Sequence, residues 1–175
     1  LVGRGAKVSV WPSSADPKSI LEEGPDAVVV SNGPGDPAVL GYQIESVQRL
    51  MREKPTLGIC LGHQLISEAV GAKTYKMKFG HHGVNHPVRD EQSGRVFVTS
   101  QNHGFAVEEG SLPHNVTVWL KNANDGSIEG IKLSDRPVMS AQFHPEAAPG
   151  PRDARWIFDE FIELVRSAAT SATGS

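Results

Sequence analysis

Internal disulfides, long apolar runs and a strong net charge are all missing from this sequence. Its 175 residues include one cysteine, so no disulfide forms within the chain. No apolar run approaches the roughly 20 residues of a transmembrane helix. The formal net charge is -3 at pH 7, and no cluster of Lys or Arg provides the positive potential that binds nucleic acid. We therefore expect a cytoplasmic protein with no nucleic acid and no membrane as partner.

The composition fits one compact domain, since 38% of the residues are hydrophobic. The first residues show neither an initiator Met nor a signal-peptide pattern, so we interpret the chain as a segment of a longer protein. Residues 167–175 are small and polar without periodicity. We expect a single domain over residues 1–166 and a flexible tail over 167–175.

Residues 7–70 alternate short β-branched runs with amphipathic stretches. The runs are AKVSV, DAVVVS and TLGIC, and they are separated or followed by PKSILEEG, LGYQIESVQRLMREK and LGHQLISEAVG. This alternation is typical of βαβ units and a parallel sheet. Because AVVV is apolar on both faces, we expect helices on both sides of the sheet. The predicted fold is a three-layer α/β sandwich with a mostly parallel central sheet.

The second half of the chain has a different texture. Gly, Asn and His turns separate short alternating runs, which predict antiparallel strands that extend the sheet or form a ribbon. Asp125-Gly126 is a strong hairpin signal. The segment DARWIFDEFIELVRS, residues 153–167, predicts a closing amphipathic helix.

Cys60 stands where a predicted strand ends and a predicted helix begins. Gly58-Ile59-Cys60-Leu61-Gly62 has the form of the nucleophile elbow G-x-S-x-G, with cysteine in place of serine. In such an elbow the flanking positions are too crowded for side chains, and the helix N-terminus stabilises a thiolate. A lone cysteine is more often a buried apolar residue. The two glycines and the strand-to-helix position nevertheless favour a nucleophile.

His144, in SAQFHPEAAPGP, is the best candidate for the base that a thiol nucleophile needs. In an extended chain residues i and i+2 lie on the same side, so Glu146 is placed to hold the imidazole in one tautomer. The alternative is an ordinary exposed turn. We predict a triad of Cys60, His144 and Glu146, because all three lie at strand ends, where α/β sheets place their sites.

The loop SNGPGDP, residues 31–37, follows the predicted strand AVVV. Its prolines make it stiff, and its glycines allow backbone amides to approach a ligand. It is therefore a candidate source of a second oxyanion donor, beside the amide of Leu61. No Gly-Lys-Ser/Thr follows, which argues against a phosphate-binding loop.

Five stretches together resemble one family. SNGPGDP, GICLGHQL and HPEAAPGP, in that order, are similar to the class I glutamine amidotransferases, whose triad is Cys, His and Glu with the acid two residues after the histidine. KMKFGHHGVNHPV and TSQNHGFAV look like the glutaminase domain in the small subunit of carbamoyl-phosphate synthase. The resemblance covers nearly the whole chain. It implies a flavodoxin-like fold and a glutaminase domain over residues 1–166.

The resemblance also implies binding residues. Gly33 and Leu61 would supply the oxyanion amides. The residues that would line the glutamine pocket are Gly35, Gln64, Asn102, Gly104 and Phe105. Simpler interpretations exist for two of them, since Gln64 would face solvent on an ordinary surface helix and Phe105 would be a core residue of an alternating strand.

A reaction and a partner follow from the same resemblance. Cys60 would attack the side-chain amide of L-glutamine, His144 would protonate the departing ammonia, and water would hydrolyse the glutamyl thioester. The ammonia would serve carbamoyl phosphate synthesis, for pyrimidine and arginine production, on a large subunit in a heterodimer or a larger assembly. ATP, Mg and bicarbonate are expected on that subunit, and no cofactor is expected in this chain.

Three histidines between residues 81 and 86 suggest a metal site, but no fourth ligand stands nearby. We therefore expect His81, His82 and His86 to make turn-stabilising hydrogen bonds and expect no metal. His63 and His103 are rival candidates for the base, but neither has an acid two residues on.

Two other interpretations stay open. One is a cysteine-elbow hydrolase, which requires an acid far from the histidine in sequence and leaves QNHGF without a role. The other is a non-catalytic module that keeps the fold. The family also has a strand and a helix ahead of the position of Leu1. We expect that first strand to be missing from this chain, which would leave an unpaired sheet edge.

Overall fold

The computed structural model describes residues 1–173. Its helices are α1 (Pro17–Glu22), α2 (Gly41–Glu53), α3 (Leu61–Ala69) and α4 (Trp156–Thr173). Its strands are β1 (Val28–Val30), β2 (Thr56–Ile59), β3 (Thr74–Asp90), β4 (Val96–Val107), β5 (Val116–Asn122), β6 (Ile128–Leu133) and β7 (Val138–Ala141). No helix in this part of the chain is both long enough and apolar enough to cross a membrane.

The strands within residues 1–173 form one seven-stranded sheet in the order β1-β2-β7-β6-β5-β3-β4. β1, β2 and β7 are parallel neighbours, whereas the pairs from β7 to β4 are antiparallel. The predicted α/β fold with a parallel part and an antiparallel second half is confirmed. β7 joins the two parts, because it runs parallel to β2 and antiparallel to β6.

Apolar side chains cover both faces of this sheet. On β7 the consecutive residues Val138 and Met139 point to opposite faces and belong to different core clusters. Met139 packs in the cluster that contains Ile157 and Phe161 of α4. Val138 packs in the cluster that contains Val47 of α2 and several residues of α3. The result is the predicted three-layer arrangement, with α4 on one side and α2 and α3 on the other.

The prediction of a first strand at AKVSV is wrong. Residues 6–12 have no regular structure, and Val10 is 91% exposed. A strand forms when its backbone groups pair with a neighbour, and within residues 1–173 this segment pairs with none. β1 is therefore an edge strand, and its valines are only half-buried although their sequence is apolar on both faces. The expected strand ahead of Leu1 stays a prediction.

The antiparallel part contains strands longer than the short runs predicted. β3 spans 17 residues and pairs with β4 across two register shifts, between Lys76 and His81 and between Gly83 and His86. Gly80 and Gly83 have φ values of 72° and 144°, which glycine adopts without a Cβ clash. The turn-like texture of this stretch thus comes from irregularities inside one long strand.

The C-terminal helix extends beyond the predicted range. We expected a tail from residue 167, and α4 continues to Thr173. The hydroxyl groups of Thr170 and Ser171 donate to the carbonyls of Arg166 and Ser167, each at 3.0 Å and one turn earlier. These bonds satisfy the hydroxyl groups within the helix itself. Residues 174 and 175 lie outside the described part of the chain.

The turn from β2 to α3 is so tight, and lies so close to β1, that two of its positions have no room for a side chain. A Cβ at Gly62 would lie 2.0 Å from the backbone oxygen of Val30. A Cβ at Gly58 would lie 2.6 Å from the backbone oxygen of Gly62. The clashing atoms are backbone, so no side-chain rotation relieves them. Both glycines of the predicted elbow are required by this packing.

Substitution Gly62→Ala should destabilise the protein by about 3 kcal/mol or more, because β1 or α3 would have to move to admit the methyl group. Urea unfolding measured by circular dichroism tests this. Gly41→Ala is the matched control, since a Cβ there meets nothing within 4 Å, and its unfolding midpoint should stay near that of the parent. Equal midpoints for the two variants would contradict the packing argument.

Candidate active site

Three parallel strands end at one edge of the sheet and bring the predicted residues together there. Cys60 directly follows β2, the loop of residues 31–37 follows β1, and the segment of residues 142–146 follows β7. The backbone N–H of His144 donates to the carbonyl of Ser100 on β4 at 2.9 Å. The end of β7 is thus tied to the antiparallel ribbon at the place where open α/β sheets form their sites.

Cys60 has a strained backbone. Its φ of 52° and ψ of -105° lie outside the regions common for residues with a Cβ. Its N–H donates to the carbonyl of Ala141 at 2.8 Å, and α3 begins at the next residue. Its Sγ lies 3.7 Å from Nε2 of Gln142 and 3.9 Å from the backbone oxygen of Asn102. With 5% of its surface exposed, the thiol faces a few polar atoms.

The imidazole of His144 lies between this thiol and a carboxylate. Its Nδ1 is 2.7 Å from Oε1 of Glu146, and the side chain of Cys60 is close enough to influence the pKa of the ring. Since Nδ1 faces the carboxylate, Nε2 is the nitrogen that faces Cys60. The hydrogen bonds with Cys60 and then with Glu146 raise the pKa of His144 to about 10. The ring therefore holds its proton at neutral pH.

Glu146 is the carboxylate end of this series of contacts. Burial has the largest single effect and raises its pKa, but the hydrogen bond from His144, a backbone hydrogen bond and the charge of His144 together outweigh burial, so the net effect is a lowered pKa. The turn that presents the carboxylate is fixed by two bonds. The N–H of Ala147 donates to the carbonyl of His144 at 3.1 Å, and Arg155 donates to the carbonyl of Glu146 at 3.4 Å. Glu146 is thus a fixed, ionised partner of the ring.

His63 and His103 are held by other groups. Nδ1 of His63 is 2.8 Å from the hydroxyl oxygen of Ser140, and burial lowers the pKa of His63 to about 3. The two ring nitrogens of His103 each lie 2.8 Å from an oxygen, one of Phe105 and one of Gln101. Burial lowers the pKa of His103 to about 4. Neither ring pairs with a carboxylate at hydrogen-bond distance, so neither has the orientation that a base requires.

Gln64 and Phe105 contact each other beside the thiol. Gln64 lies in the first turn of α3 but is only 3% exposed, so it does not face solvent. Its Nε2 donates to the carbonyl of Phe105 and to Oε1 of Gln142, each at 3.0 Å. Phe105 is half-buried and belongs to neither core cluster. The simpler interpretations of these two residues are therefore wrong, while their binding roles stay predictions.

Asn102 and Gly104 stand on β4 near Cys60. Asn102 is exposed, and its Oδ1 lies 2.8 Å from Nδ1 of His82, a contact that fits the hydrogen-bonding role expected for that histidine. A Cβ at Gly104 would meet nothing within 4 Å. Asn102 approaches the thiol through its backbone oxygen, 3.9 Å from Sγ of Cys60, and the binding roles of Asn102 and Gly104 stay predictions.

Gly33 and Leu61 are neighbours in space. A Cβ at Gly33 would lie 2.9 Å from Cδ2 of Leu61, so the loop after β1 rests on the first residue of α3. Gly35, in the same loop, is exposed and has a φ of 113°. The contact places the two predicted oxyanion residues side by side. Their donor role stays a prediction.

Gln142 is the residue that sequence reasoning missed. It is fully buried, and its two amide atoms contact the thiol of Cys60 and the amide of Gln64. A signal was present, because Gln142 stands two residues before His144 and strand alternation places both on the same side. A buried amide needs partners, and this one finds them in the site.

Comparison with known proteins identifies the family of this chain. A model of the family described as glutamine amidotransferase class-I matches residues 1–164. The chain belongs to this family.

Relatives within the class-I glutamine amidotransferases share about half of their residues with this chain. The carbamoyl phosphate synthase small chain of Neisseria meningitidis serogroup A is 52% identical over 169 residues, covering 96% of this chain and 45% of that protein. The small chain of Salmonella typhi is 50% identical over 173 residues, covering 98% and 45%. This chain therefore spans about half the length of the curated relatives it matches.

Solved structures share the fold. A protein from Thermoplasma acidophilum, described as belonging to a GMP synthase, superimposes with a TM-score of 0.80 at 25% identity, covering 94% of this chain and 84% of its own. A glutamine amidotransferase from Thermotoga maritima gives a TM-score of 0.57 at 22% identity, covering 95% and 71%. The fold is thus that of a class-I glutamine amidotransferase.

Substitution Glu146→Gln should lower the pKa of His144, because it removes the negative partner of Nδ1. The folded pKa of about 10 lies above the ordinary value of 6.5, so the stability from this proton is fully present below pH 6.5 and is lost as the pH rises through 10. The stability difference between parent and variant should be largest near pH 6 and shrink toward pH 10. Urea unfolding at several pH values measures it. A constant difference would contradict the assignment, and Glu163→Gln on the exposed surface of α4 is the control.

Proposed function

We propose that this chain hydrolyses the side-chain amide of L-glutamine and supplies the ammonia for carbamoyl phosphate synthesis on a large subunit. One observation carries the proposal: at the strand ends of a class-I glutamine amidotransferase, His144 pairs with Glu146 at 2.7 Å and has its pKa raised by Cys60 and Glu146. The supply of ammonia for carbamoyl phosphate synthesis is supported by the relatives named carbamoyl phosphate synthase small chain, which are 52% and 50% identical to this chain.

The first half of the reaction is acyl transfer to sulfur. The thiolate of Cys60 attacks the amide carbon of glutamine, and a C–S bond forms as the C=O electron pair moves onto the amide oxygen. The backbone N–H groups of Gly33 and Leu61 are proposed to donate hydrogen bonds to that oxygen and so stabilise its charge. His144, which carries a proton, donates it to the amide nitrogen, so the C–N bond breaks and ammonia leaves.

The second half returns the enzyme to its starting state. Water attacks the thioester carbon while His144, now neutral, takes its proton. The C–S bond then breaks, and glutamate is released. Glu146 holds the ring in one orientation through both halves, because its contact at Nδ1 leaves Nε2 directed at the reacting atoms. His144 takes one proton of the water and thereby replaces the one it gave to ammonia, the other proton leaves with the product acid, and the thiolate is restored, so we propose no cofactor for this half-reaction.

The surroundings of the thiol suit an amino-acid substrate. Gln64 and Gln142 place amide groups on the buried side, and Asn102 and Gly104 leave the exposed side open. A substrate with a terminal amide at one end and a charged amino-acid group at the other needs polar contacts at both ends. Gly35, in the loop after β1, is proposed to complete the pocket. ATP, Mg and bicarbonate would bind the large subunit.

A glutamine-mimicking diazo-ketone should alkylate Cys60 once, because the elbow and the oxyanion donors activate this thiol. Intact-mass spectrometry should show a single adduct that excess glutamine prevents and that Cys60→Ala abolishes. In a glutaminase assay Cys60→Ala should lose at least about 1000-fold in turnover.

His144→Asn and His114→Asn form a matched pair for the base. His114 is an exposed residue, so its substitution should leave turnover unchanged, while the His144 variant should lose activity as severely as the cysteine variant. Adduct formation that glutamine does not affect would indicate a cysteine-elbow hydrolase. A folded protein without any adduct would favour a non-catalytic module.

Adding a carbamoyl-phosphate synthase large chain should raise glutamine hydrolysis and give glutamine-dependent carbamoyl phosphate, because the proposed partner consumes the ammonia. Cys60→Ala should abolish synthesis from glutamine but not from added ammonia. Synthesis that fails with glutamine although the chain alone hydrolyses it would contradict the partner and leave the glutaminase intact.

A further inference from the structure

A second group of polar side chains lies inside the antiparallel part of the sheet. His81 on β3, His103 on β4 and Glu129 on β6 are all buried, and each offers one ligand atom within 4.8 Å of the others. Sequence reasoning found no metal ligand near the histidines of residues 81–86. The sheet supplies His103 and Glu129 from strands distant in sequence.

Two atoms of this group have no hydrogen-bond partner although they are buried: Nδ1 of His81 and Oε2 of Glu129. His81 is 8% exposed and Glu129 is fully buried. A buried nitrogen or carboxylate oxygen without a partner is costly, and such atoms are rare in folded proteins. Both belong to residues of the same small cluster, and a shared ligand would satisfy both.

The outer contacts of the two histidines are those of metal ligands. A metal-bound imidazole donates its other N–H to a carboxylate or a backbone carbonyl. Nε2 of His81 lies 2.9 Å from Oδ2 of Asp125, and Nδ1 of His103 lies 2.8 Å from the carbonyl oxygen of Phe105. These contacts leave Nδ1 of His81 and Nε2 of His103 as the nitrogens available to an ion.

The spacing also fits. Nδ1 of His81 is 3.6 Å from Oε1 of Glu129, so this carboxylate lies at about the 3.4 Å that separates two ligands of a tetrahedral zinc ion, and its Oε2, which has no other partner, is the oxygen left for the ion. Asn122 and Gln101 donate to Oε1 of Glu129 at 2.9 and 2.8 Å, which fixes the carboxylate. One contact must change, because Nε2 of His103 lies 2.8 Å from Oε1 of Gln101.

We propose that His81, His103 and Glu129 bind a zinc ion, with water or the amide oxygen of Gln101 as the fourth ligand. Two imidazole nitrogens favour zinc over magnesium or calcium, which prefer oxygen ligands. A carboxylate must lose its proton to bind a metal ion, and the negative charges of Glu129 and Asp125 then balance the charge of the ion. The ion links β3, β4 and β6, so its role is structural, and the site stands whether or not the proposed function holds.

Zinc binding is tested in Cys60→Ala protein, because the thiol would bind zinc by itself. After treatment with a chelator and its removal, calorimetric titration with Zn²⁺ should show one ion per chain, and Co²⁺ should give a visible spectrum of tetrahedral type. The unfolding temperature should rise by about 5 °C or more once free zinc exceeds its dissociation constant about 100-fold.

Three variants and one control locate the site. Glu129→Gln and His81→Asn should abolish the cobalt spectrum and the thermal shift, while His114→Asn should change neither. Asp125→Asn, at the more exposed outer contact, should weaken zinc affinity about 10–100-fold and keeps the test decisive if a buried substitution fails to fold. The proposal would be overturned if the parent gave no cobalt spectrum. It would also be overturned if the Asp125→Asn and Glu129→Gln proteins both bound zinc as tightly as the parent.

Discussion

The contact between the β2–α3 turn and β1 is the constraint on which the site depends. A Cβ at Gly62 would lie 2.0 Å from the carbonyl oxygen of Val30, so backbone meets backbone with no side chain between them. This closeness forces the chain to turn within one residue, and Cys60 takes the strain with a φ of 52°. The thiol is consequently held at the start of α3, against the end of β7.

Electrostatic pairing then organises the groups around the thiol. A buried imidazole normally loses its proton, as His63 and His103 do. His144 keeps its proton because Cys60 and Glu146, whose Oε1 lies 2.7 Å from Nδ1 of the ring, raise its pKa. The same burial that makes an unpaired charge costly strengthens this pairing.

The antiparallel part of the sheet has a polar interior next to the site. Gln101, His103 and Glu129 are buried there in a network of hydrogen bonds, and His103 lies between Asn102 and Gly104 of the proposed pocket. Burial raises the pKa of Glu129 to about 8, although Asn122 and Gln101 donate to it. Such a network holds the neighbouring strands in place only while each of its polar groups has a hydrogen-bond partner.

Local sequence determined most of the elements and identified the three triad candidates, whereas tertiary contacts decided what surrounds them. The elbow glycines, the His-x-Glu spacing and the alternating runs are short-range signals, because turn geometry and strand alternation act within a few residues. No such signal predicted that AKVSV would lack a pairing neighbour or that β3 would continue through its glycines. The contacts of Gln142 with Cys60 and of Glu129 with His81 likewise join distant strands. Those pairings depend on strand order and register, which only the folded sheet specifies.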